Sequence, residues 1–281
     1  MGKFAEVLLA SDFDNTLVYT ERALRTGSPV PPLSEANRKA LEYFMEEGGR
    51  FAIATGRALP AFMQYAPIVP MNAPGVVCNG AMLYDFEKEV FLEQALLDEI
   101  ARERGQQILE SFPQAAVEAY HIDNVIHAVH PNEITRQHEH LTKVGVTEAP
   151  SLLDVPLPLG KLLFEAERST LEQIVEMMKE RGWYENYELI FSTDHLLEMT
   201  VKGANKGGMV QRLAARLGIS MEHVYCAGDE ANDISMLMVA AEGFAPANCA
   251  DAVRESGATI VADAEHDALA EIVAILDRKY R

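Results

Sequence analysis

Short apolar runs separated by amphipathic segments dominate both ends of the 281-residue chain. Near the N-terminus, EVLLAS, RFAIAT and GVVCNG begin at residues 6, 50 and 75 and are apolar enough to predict buried strands. Residues 34–49 between the first two predict a helix, with Ser34 as its N-cap, an apolar stripe, and Gly48-Gly49 at its end. Strands that alternate with helices predict a parallel sheet that is covered on both faces.

The C-terminal part of the chain repeats this alternation. Residues 206–218, 233–241 and 266–280 predict helices, and the runs HVYCAG, EGFAPA and ATIVAD predict strands between them. We therefore expect residues 1–84 and 199–281 to form one α/β core, built on a doubly wound, mostly parallel sheet.

Residues 85–198 have a different pattern and predict an inserted α+β domain. Residues 116–130 predict a hairpin with its turn near Asp123-Asn124, and residues 169–182 predict a helix. Ser169 and Glu172 have the spacing of a capping box at the start of that helix. Most of the excess acidic charge of the chain lies in this insert.

The net charge of −19 disfavours binding to nucleic acids, because an acidic surface repels phosphate backbones. No apolar run reaches the roughly 18 residues of a membrane span, and Asp12 and Asp14 interrupt any signal-peptide pattern at the start. We expect a cytoplasmic protein without a membrane partner. Cys78, Cys226 and Cys249 are widely spaced and lack a C-x-x-C motif, which predicts buried free thiols.

Polar clusters follow three of the predicted strands, at residues 12–16, 55–57 and 228–233. The carboxyl ends of parallel strands meet along one edge of a sheet, so these clusters are expected to converge there. Asp12 and Asp14 are two positions apart and face the same side of an extended chain. With Asp229 and Asp233 they place four carboxylates near one lysine, which indicates a hard divalent cation such as Mg²⁺.

The ordered motifs DFDNT, TGR, a lysine after the insert, and GDEAND resemble those of the haloacid dehalogenase superfamily of phosphohydrolases. The similarity extends along the chain and is greatest to the Cof-type branch with a large α/β cap, subfamily IIB. VVCNGAMLYD is similar to the segment that leads into that cap. Asn15 stands where the branch usually has glycine, and asparagine tolerates positive φ better than most residues do.

This resemblance implies a role for each motif residue. Asp12 would be the nucleophile that forms an aspartyl phosphate, and Asp14 the general acid and base. Residues that would bind the phosphate are Thr55, Gly56, Lys206 and Asn79. Residues that would hold Mg²⁺ are Asp12, Asp14 through its backbone carbonyl, and Asp229, with Asn232 and Asp233 as further ligands or groups that orient them.

The expected function is a Mg²⁺-dependent phosphatase that hydrolyses small phosphate monoesters, such as sugar phosphates, with specificity set by the insert. A phosphomutase with the same aspartyl phosphate is an alternative, since the two differ only in whether water or a hydroxyl accepts the phosphoryl group. A phospho-accepting signalling domain or a phosphate-binding protein is a non-enzymatic alternative. Signalling domains of that kind have no insert, which counts against them.

Four further residues have plain structural interpretations. Lys202 is close in sequence to Lys206 and competes with it for the phosphate-binding role. His138 and His140 flank one residue in HEH, so they do not share a helix face, and we expect both on the surface. For Lys161 there are two interpretations, a contact with the substrate and a surface salt bridge, and we expect the salt bridge.

Overall fold

The structure is a computed structural model, and it describes residues 2–280 apart from the side chain of Leu24. The strands are β1 Leu8–Ser11, β2 Arg50–Ile53, β3 Gly75–Val77, β4 Met82–Asp85, β5 Val90–Gln94, β6 Ala116–His121, β7 Ile126–Val129, β8 Thr147–Glu148, β9 Leu159–Glu165, β10 Tyr187–Thr193, β11 Leu196–Val201, β12 Val224–Ala227, β13 Glu242–Pro246 and β14 Thr259–Val261. The helices are α1 Glu21–Thr26, α2 Glu35–Glu46, α3 Leu59–Met63, α4 Glu99–Ser111, α5 Glu133–Thr142, α6 Arg168–Glu180, α7 Lys206–Leu217, α8 Ile234–Val239, α9 Asp251–Glu255 and α10 Ala268–Lys279.

The chain divides into two compact units. The first contains the residues up to Gly56, Phe62–Glu93 and the residues from Lys206 on, and the second contains Arg57–Ala61 and Gln94–Asn205. The main segment of the second unit, Gln94–Asn205, begins and ends later in the chain than the insert of residues 85–198. The later start is explained by β4 and β5, which pair with β3 in a three-stranded sheet. The chain up to Glu93 therefore belongs to the first unit.

The first unit is built on a five-stranded sheet in the order β14-β13-β12-β1-β2, and every neighbouring pair is parallel. Leu9 lies opposite Phe51 and Tyr225 on the adjacent strands, and all three belong to the apolar cluster that includes Phe44 of α2 and Ile272 of α10. The alternate positions of these strands join another cluster, with side chains of α7. Both faces of the sheet are therefore covered, as the alternation of strands and helices predicts.

GVVCNG does not form a full strand of the parallel sheet. β3 has a single parallel bridge to the main sheet, between Ala54 and Val76, and its other partner is the antiparallel strand β4. The chain then makes a short 3₁₀ turn, in which Cys78 and Asn79 have φ angles of 52° and 53°. This positive-φ turn directs Asn79 back toward the end of β2, where its N–H donates to the Thr55 carbonyl at 3.1 Å.

The second unit is built on a six-stranded sheet in the order β10-β11-β9-β6-β7-β8. The hairpin of β6 and β7 confirms the predicted turn, in which Asn124 has a φ angle of 70°. α6 begins one residue earlier than predicted, with Glu167 as the N-cap and no side-chain capping bond, so the capping box from Ser169 is wrong.

Two other observations concern predictions from composition. Cys78, Cys226 and Cys249 are buried and free, which confirms the interpretation as core thiols. Within residues 2–280, none of the helices has both the length and the apolar character needed to cross a membrane.

Candidate active site

Asp12 is fixed directly after β1 by its neighbours in the parallel sheet. Its backbone N–H donates to the carbonyl of Ala227 at the end of β12, at 2.8 Å, and its side chain is buried with 8% exposure. Lys206, at the start of α7, donates to Asp12 Oδ1 at 2.7 Å and to Asp233 Oδ1 at 2.6 Å. A buried ammonium group thus joins two carboxylates that follow different strands.

Asp229 and Asp233 lie in the loop after β12, which the chain folds into a compact turn. Asp233 Oδ2 accepts the backbone N–H groups of Asp229 and Glu230, both at 2.9 Å. A side chain at Gly228 is excluded, because its Cβ would lie 2.4 Å from the Cβ of Asp233. Asp229 Oδ1 in turn accepts the hydroxyl of Thr16 at 2.8 Å. The turn therefore holds both carboxylates in fixed orientations.

The buried carboxylates raise one another's pKa values. The pKa of Asp12 is raised to about 7, because burial and the charges of Asp233 and Asp14 together outweigh the lowering effect of Lys206. Burial and the charge of Asp12 raise the pKa of Asp229 well above its usual range. Burial disfavours the charged form of Lys206, but Asp12 and Asp233 outweigh this and raise its pKa. The cluster thus has more negative charge than a single lysine neutralises.

Asp12, Asp229 and Asp233 each offer a carboxylate oxygen, and these atoms all lie within 4.8 Å of one another. A donor set of oxygens alone with excess negative charge fits a hard divalent cation such as Mg²⁺. The arrangement can therefore accept a metal ion beside the buried carboxylate of Asp12.

Asp14 and Asn15 are held by the first turn of α1. Asp14 Oδ1 accepts the hydroxyl of Thr20 at 2.7 Å. Asn15 has a φ angle of 51°, as its residue type allows, and its side chain accepts the backbone N–H groups of Thr20 and Glu21 at 3.0 and 2.8 Å. This turn positions the Asp14 carboxyl group near that of Asp12.

An amide pair forms the other side of the predicted phosphate site. Asn232 Nδ2 donates to Asn79 Oδ1 at 2.8 Å. Asn79 lies beside the end of β2, and Asn232 lies in the segment after β12. Asn79 Nδ2 and Asn232 Oδ1 are buried without a hydrogen-bond partner. Gly56 leaves space for this pair, because a Cβ there would lie 2.9 Å from Asn79 Oδ1. A buried N–H donor without a partner is a suitable contact for a phosphate oxygen.

The sequence missed two hydroxyl groups that orient the carboxylates. Thr16 lies inside DFDNT, but its bond to Asp229 joins positions 213 residues apart, which no local pattern reveals. Thr20 lies outside the motif. Lys202 forms an ion pair with Glu188 at 3.4 Å, whereas Lys206 contacts Asp12, so Lys206 is the lysine that the cluster contains.

Two surface predictions in the second unit are wrong. Lys161 is buried and forms an ion pair with Glu198 at 2.9 Å, with side-chain exposures of 4% and 5%. His138 is only 18% exposed and lies against two buried glutamates, whereas His140 is exposed as predicted. The error has one cause: the polar face of this sheet is covered as well as its apolar face.

Comparison with known proteins identifies the family. Residues 9–273 match the model of the haloacid dehalogenase-like hydrolases. The chain belongs to the haloacid dehalogenase-like hydrolase family. This confirms the predicted superfamily, and the motif carboxylates described above therefore lie in a hydrolase fold.

Individual relatives match nearly the whole chain. Pyridoxal phosphate phosphatase YbhA of Escherichia coli K12 is 24% identical over 275 residues, covering 95% of this chain and 97% of the relative. The 5-amino-6-(5-phospho-D-ribitylamino)uracil phosphatase YcsE of Bacillus subtilis 168 is 25% identical, covering 95% and 94%. The solved structure of the HAD subclass IIB sugar phosphatase BT4131 has a TM-score of 0.78 at 19% identity, covering 96% of this chain and 99% of that one.

Proposed function

We propose that this hydrolase is a Mg²⁺-dependent phosphatase that removes phosphate from small monoesters through an aspartyl phosphate on Asp12. The observation that carries the proposal is the buried carboxylate of Asp12, which contacts Lys206 and lies within 4.8 Å of two further carboxylates. Phosphoryl transfer depends on positioning and on neutralising charge, and this cluster supplies groups for both.

In the first step, a carboxylate oxygen of Asp12 attacks phosphorus and the bond from phosphorus to the ester oxygen breaks. Asp14 donates its proton to the leaving oxygen, so the alcohol departs neutral. In the second step, Asp14 takes a proton from water, and the water oxygen attacks phosphorus and releases Asp12. The hydroxyl of Thr20 holds the Asp14 carboxyl group in one orientation through both steps.

Three groups would bind the oxygens of the transferring phosphoryl group. The ammonium group of Lys206 has three N–H donors. Two of them bind Asp12 and Asp233, and the third would donate to a phosphoryl oxygen. The buried Nδ2 of Asn79 supplies a second donor. Thr55 would supply its hydroxyl, and its backbone is fixed beside the turn of Asn79.

Asp12, Asp229 and the backbone carbonyl of Asp14 would hold Mg²⁺, and Asn232 and Asp233 would ligate it or orient its ligands. When bound, the cation neutralises charge on the phosphoryl oxygens and lowers the pKa of Asp12, which favours the carboxylate needed for attack. Asp233 keeps Lys206 in place, since its Oδ1 accepts from the ammonium while its Oδ2 accepts two backbone N–H groups.

The relatives support a proposal for the substrate class. The pyridoxal phosphate, ribitylaminouracil and sugar phosphatases named above all act, by their names, on one phosphate group attached to a small molecule. We propose the same class here, with sugar phosphates as the first candidates. The residues proposed to bind the phosphate and the metal do not distinguish between the alcohols to which the phosphate is attached. We therefore assign selectivity for the alcohol to the second unit, in accord with the insert's predicted role.

The experiment is a phosphate-release assay with a panel of phosphorylated metabolites and an aryl phosphate, for the full chain and Asp12→Asn. Release should require Mg²⁺, stop in EDTA and return when Mg²⁺ is added in excess. Asp12→Asn should release no phosphate. Activity that persists in EDTA would contradict the metal requirement, and an isomeric phosphorylated product in place of phosphate would identify a mutase.

A further inference from the structure

A second cluster of metal-ligand side chains lies in the second unit, on the polar face of its sheet. Glu118 of β6 and Glu165 of β9 are diagonal neighbours, because Glu165 lies opposite Ala116 in the register of these strands. His138 of α5 lies beside both: its Nδ1 is 3.0 Å from Glu118 Oε1 and 3.6 Å from Glu165 Oε1. The three donor atoms all lie within 4.8 Å of one another.

Each glutamate is oriented by a hydroxyl group that binds one of its oxygens. Tyr120 donates to Glu118 Oε2 at 2.6 Å, and Thr135 donates to Glu165 Oε2. Glu165 Oε1 then faces His138, and His138 Nδ1 lies 3.0 and 3.1 Å from the two carboxylate oxygens of Glu118. Hydrogen bonds of this kind, from outside the donor set, orient the ligands of metal sites in proteins.

One donor of the cluster has no hydrogen-bond partner. Glu165 is 0% exposed, and its Oε1 is buried without a hydrogen bond although it points at the imidazole of His138. A buried carboxylate oxygen that lacks a partner is costly, and it calls for a proton or a cation. Burial and the charge of Glu118 raise the pKa of Glu165 to about 8, which agrees with an excess of negative potential at this position.

We propose that Glu118, His138 and Glu165 form a binding site for a divalent transition-metal cation of the Zn²⁺ type, separate from the carboxylates around Asp12. One imidazole nitrogen and two carboxylates are donors that Zn²⁺ accepts, whereas Mg²⁺ and Ca²⁺ prefer oxygen donors alone. The cation would bind Glu165 Oε1 and offset both buried charges. The side chain of His138 is 18% exposed, so this ligand lies at the edge of the buried cluster.

The site would join α5 to the two central strands of this sheet, since its ligands come from β6, β9 and α5. Zn²⁺ there would stabilise the second unit rather than take part in hydrolysis, because both glutamates are nearly excluded from solvent. The inference does not depend on the proposed phosphatase activity.

The test is Zn²⁺ binding to the full chain labelled with ¹⁵N-histidine, with millimolar Mg²⁺ in every sample to occupy the all-oxygen site. Zn²⁺ should shift the Nδ1 resonance of His138 with saturation at one equivalent, and should raise the melting temperature. His138→Asn should lower the affinity of this site for Zn²⁺ by at least about 100-fold, more than the loss of an orienting group outside the donor set. His140→Asn, in the same helix but exposed, is the matched control and should bind as the parent does.

Glu165→Gln distinguishes a metal site from a pair of glutamates that share a proton. Glutamine is similar in shape to protonated glutamate, so the variant should fold, and it should lose the Zn²⁺-dependent rise in melting temperature. A His138 resonance that does not move at saturating Zn²⁺ would overturn the proposal. A shift of the same affinity in Glu165→Gln and Glu118→Gln would also overturn it, because it would show an adventitious ion only.

Discussion

Lys206 donates to Asp12 across 194 positions of the sequence, at 2.7 Å, and this ion pair joins the first strand to the helix that follows the second unit. The same ammonium group contacts Asp233, so one residue connects the motif after β1 with the motif after β12. The side-chain exposure of Lys206 is 1%. Charges this deeply buried interact strongly, which makes this lysine the residue whose removal should affect the cluster most.

Lys206→Gln should lower kcat/KM for an aryl phosphate by about 10²–10³-fold, the usual effect of removing one group that stabilises transition-state charge. The variant also leaves Asp12 and Asp233 without their buried cation, so its melting temperature should fall. Activity is compared per folded molecule, after far-UV circular dichroism has confirmed the fold.

Lys202→Gln is the matched control for this prediction. Lys202 is 53% exposed and pairs with Glu188, so its loss should change kcat/KM by less than about twofold, in line with the small effect of exposed ion pairs. The assignment of Lys206 fails if Lys202→Gln impairs activity as much as Lys206→Gln does.

Asp14→Asn should separate the two chemical steps. It retains the Asp12 carboxylate but removes the acid and base, so turnover should fall by about 10²–10⁴-fold. With a dinitrophenyl phosphate, whose leaving group needs no proton, the first step should proceed and the phosphorylated enzyme should accumulate. Mass spectrometry after an acid quench locates the phosphate, and its presence on a residue other than Asp12 would refute the assigned roles.

Gly56→Ala should disturb phosphate binding without touching a charge. Its Cβ would lie 2.9 Å from Asn79 Oδ1, so the amide must move and its contact with Asn232 must lengthen. We expect KM to rise and kcat/KM to fall by about 10-fold or more, since displacement of a positioning group by about 1 Å has large effects. Gly145→Ala is the control, because a Cβ there would meet only Glu139 Oε1, at an ordinary contact distance of 4.0 Å. Unchanged kinetics of Gly56→Ala would remove Asn79 from the phosphate site.

The sequence could predict that the clusters after β1, β2 and β12 come together, because the ends of parallel strands meet at one edge of a sheet. The sequence could not predict the hydrogen bonds from Thr16 to Asp229 and from Thr20 to Asp14, since both depend on the conformation of loops. GVVCNG was assigned to the core sheet because an apolar run cannot reveal its partner: β3 makes one parallel bridge and then pairs with β4.

His138 and Lys161 show a different limit. Both were expected on the surface as polar residues, yet Lys161 and the glutamates that His138 contacts, Glu118 and Glu165, are all at most 3% exposed. Lys161 forms an ion pair with Glu198, and Glu118 and Glu165 accept the hydroxyl groups of Tyr120 and Thr135, which offsets part of the cost of burying this face. The tertiary structure decides which of these charged side chains pair, and the sequence pattern alone does not predict it.

The reactivity of the buried thiol of Cys226 should not rise with pH in the folded chain. Burial raises the pKa of Cys226, and the charge of Asp233 adds to this effect, while burial also raises the pKa of Cys249. Only the thiolate reacts, and a raised pKa means less thiolate at any given pH. In the folded chain, raising the pH from about 7 to 9 through the usual thiol pKa of about 8.5 should therefore leave Cys226 unlabelled.

The measurement is labelling by a disulfide reagent, with the modified cysteine identified by peptide mass mapping. Cys226 should react at least about 100-fold more slowly in the folded chain than in the same chain in urea, because the reagent must wait for the sheet to open at β12. The urea sample should become faster as pH rises toward the ordinary thiol pKa. Labelling of folded Cys226 at a rate near that of the urea sample would show that β12 is accessible, and would contradict the buried position on which the neighbouring Asp229 turn depends.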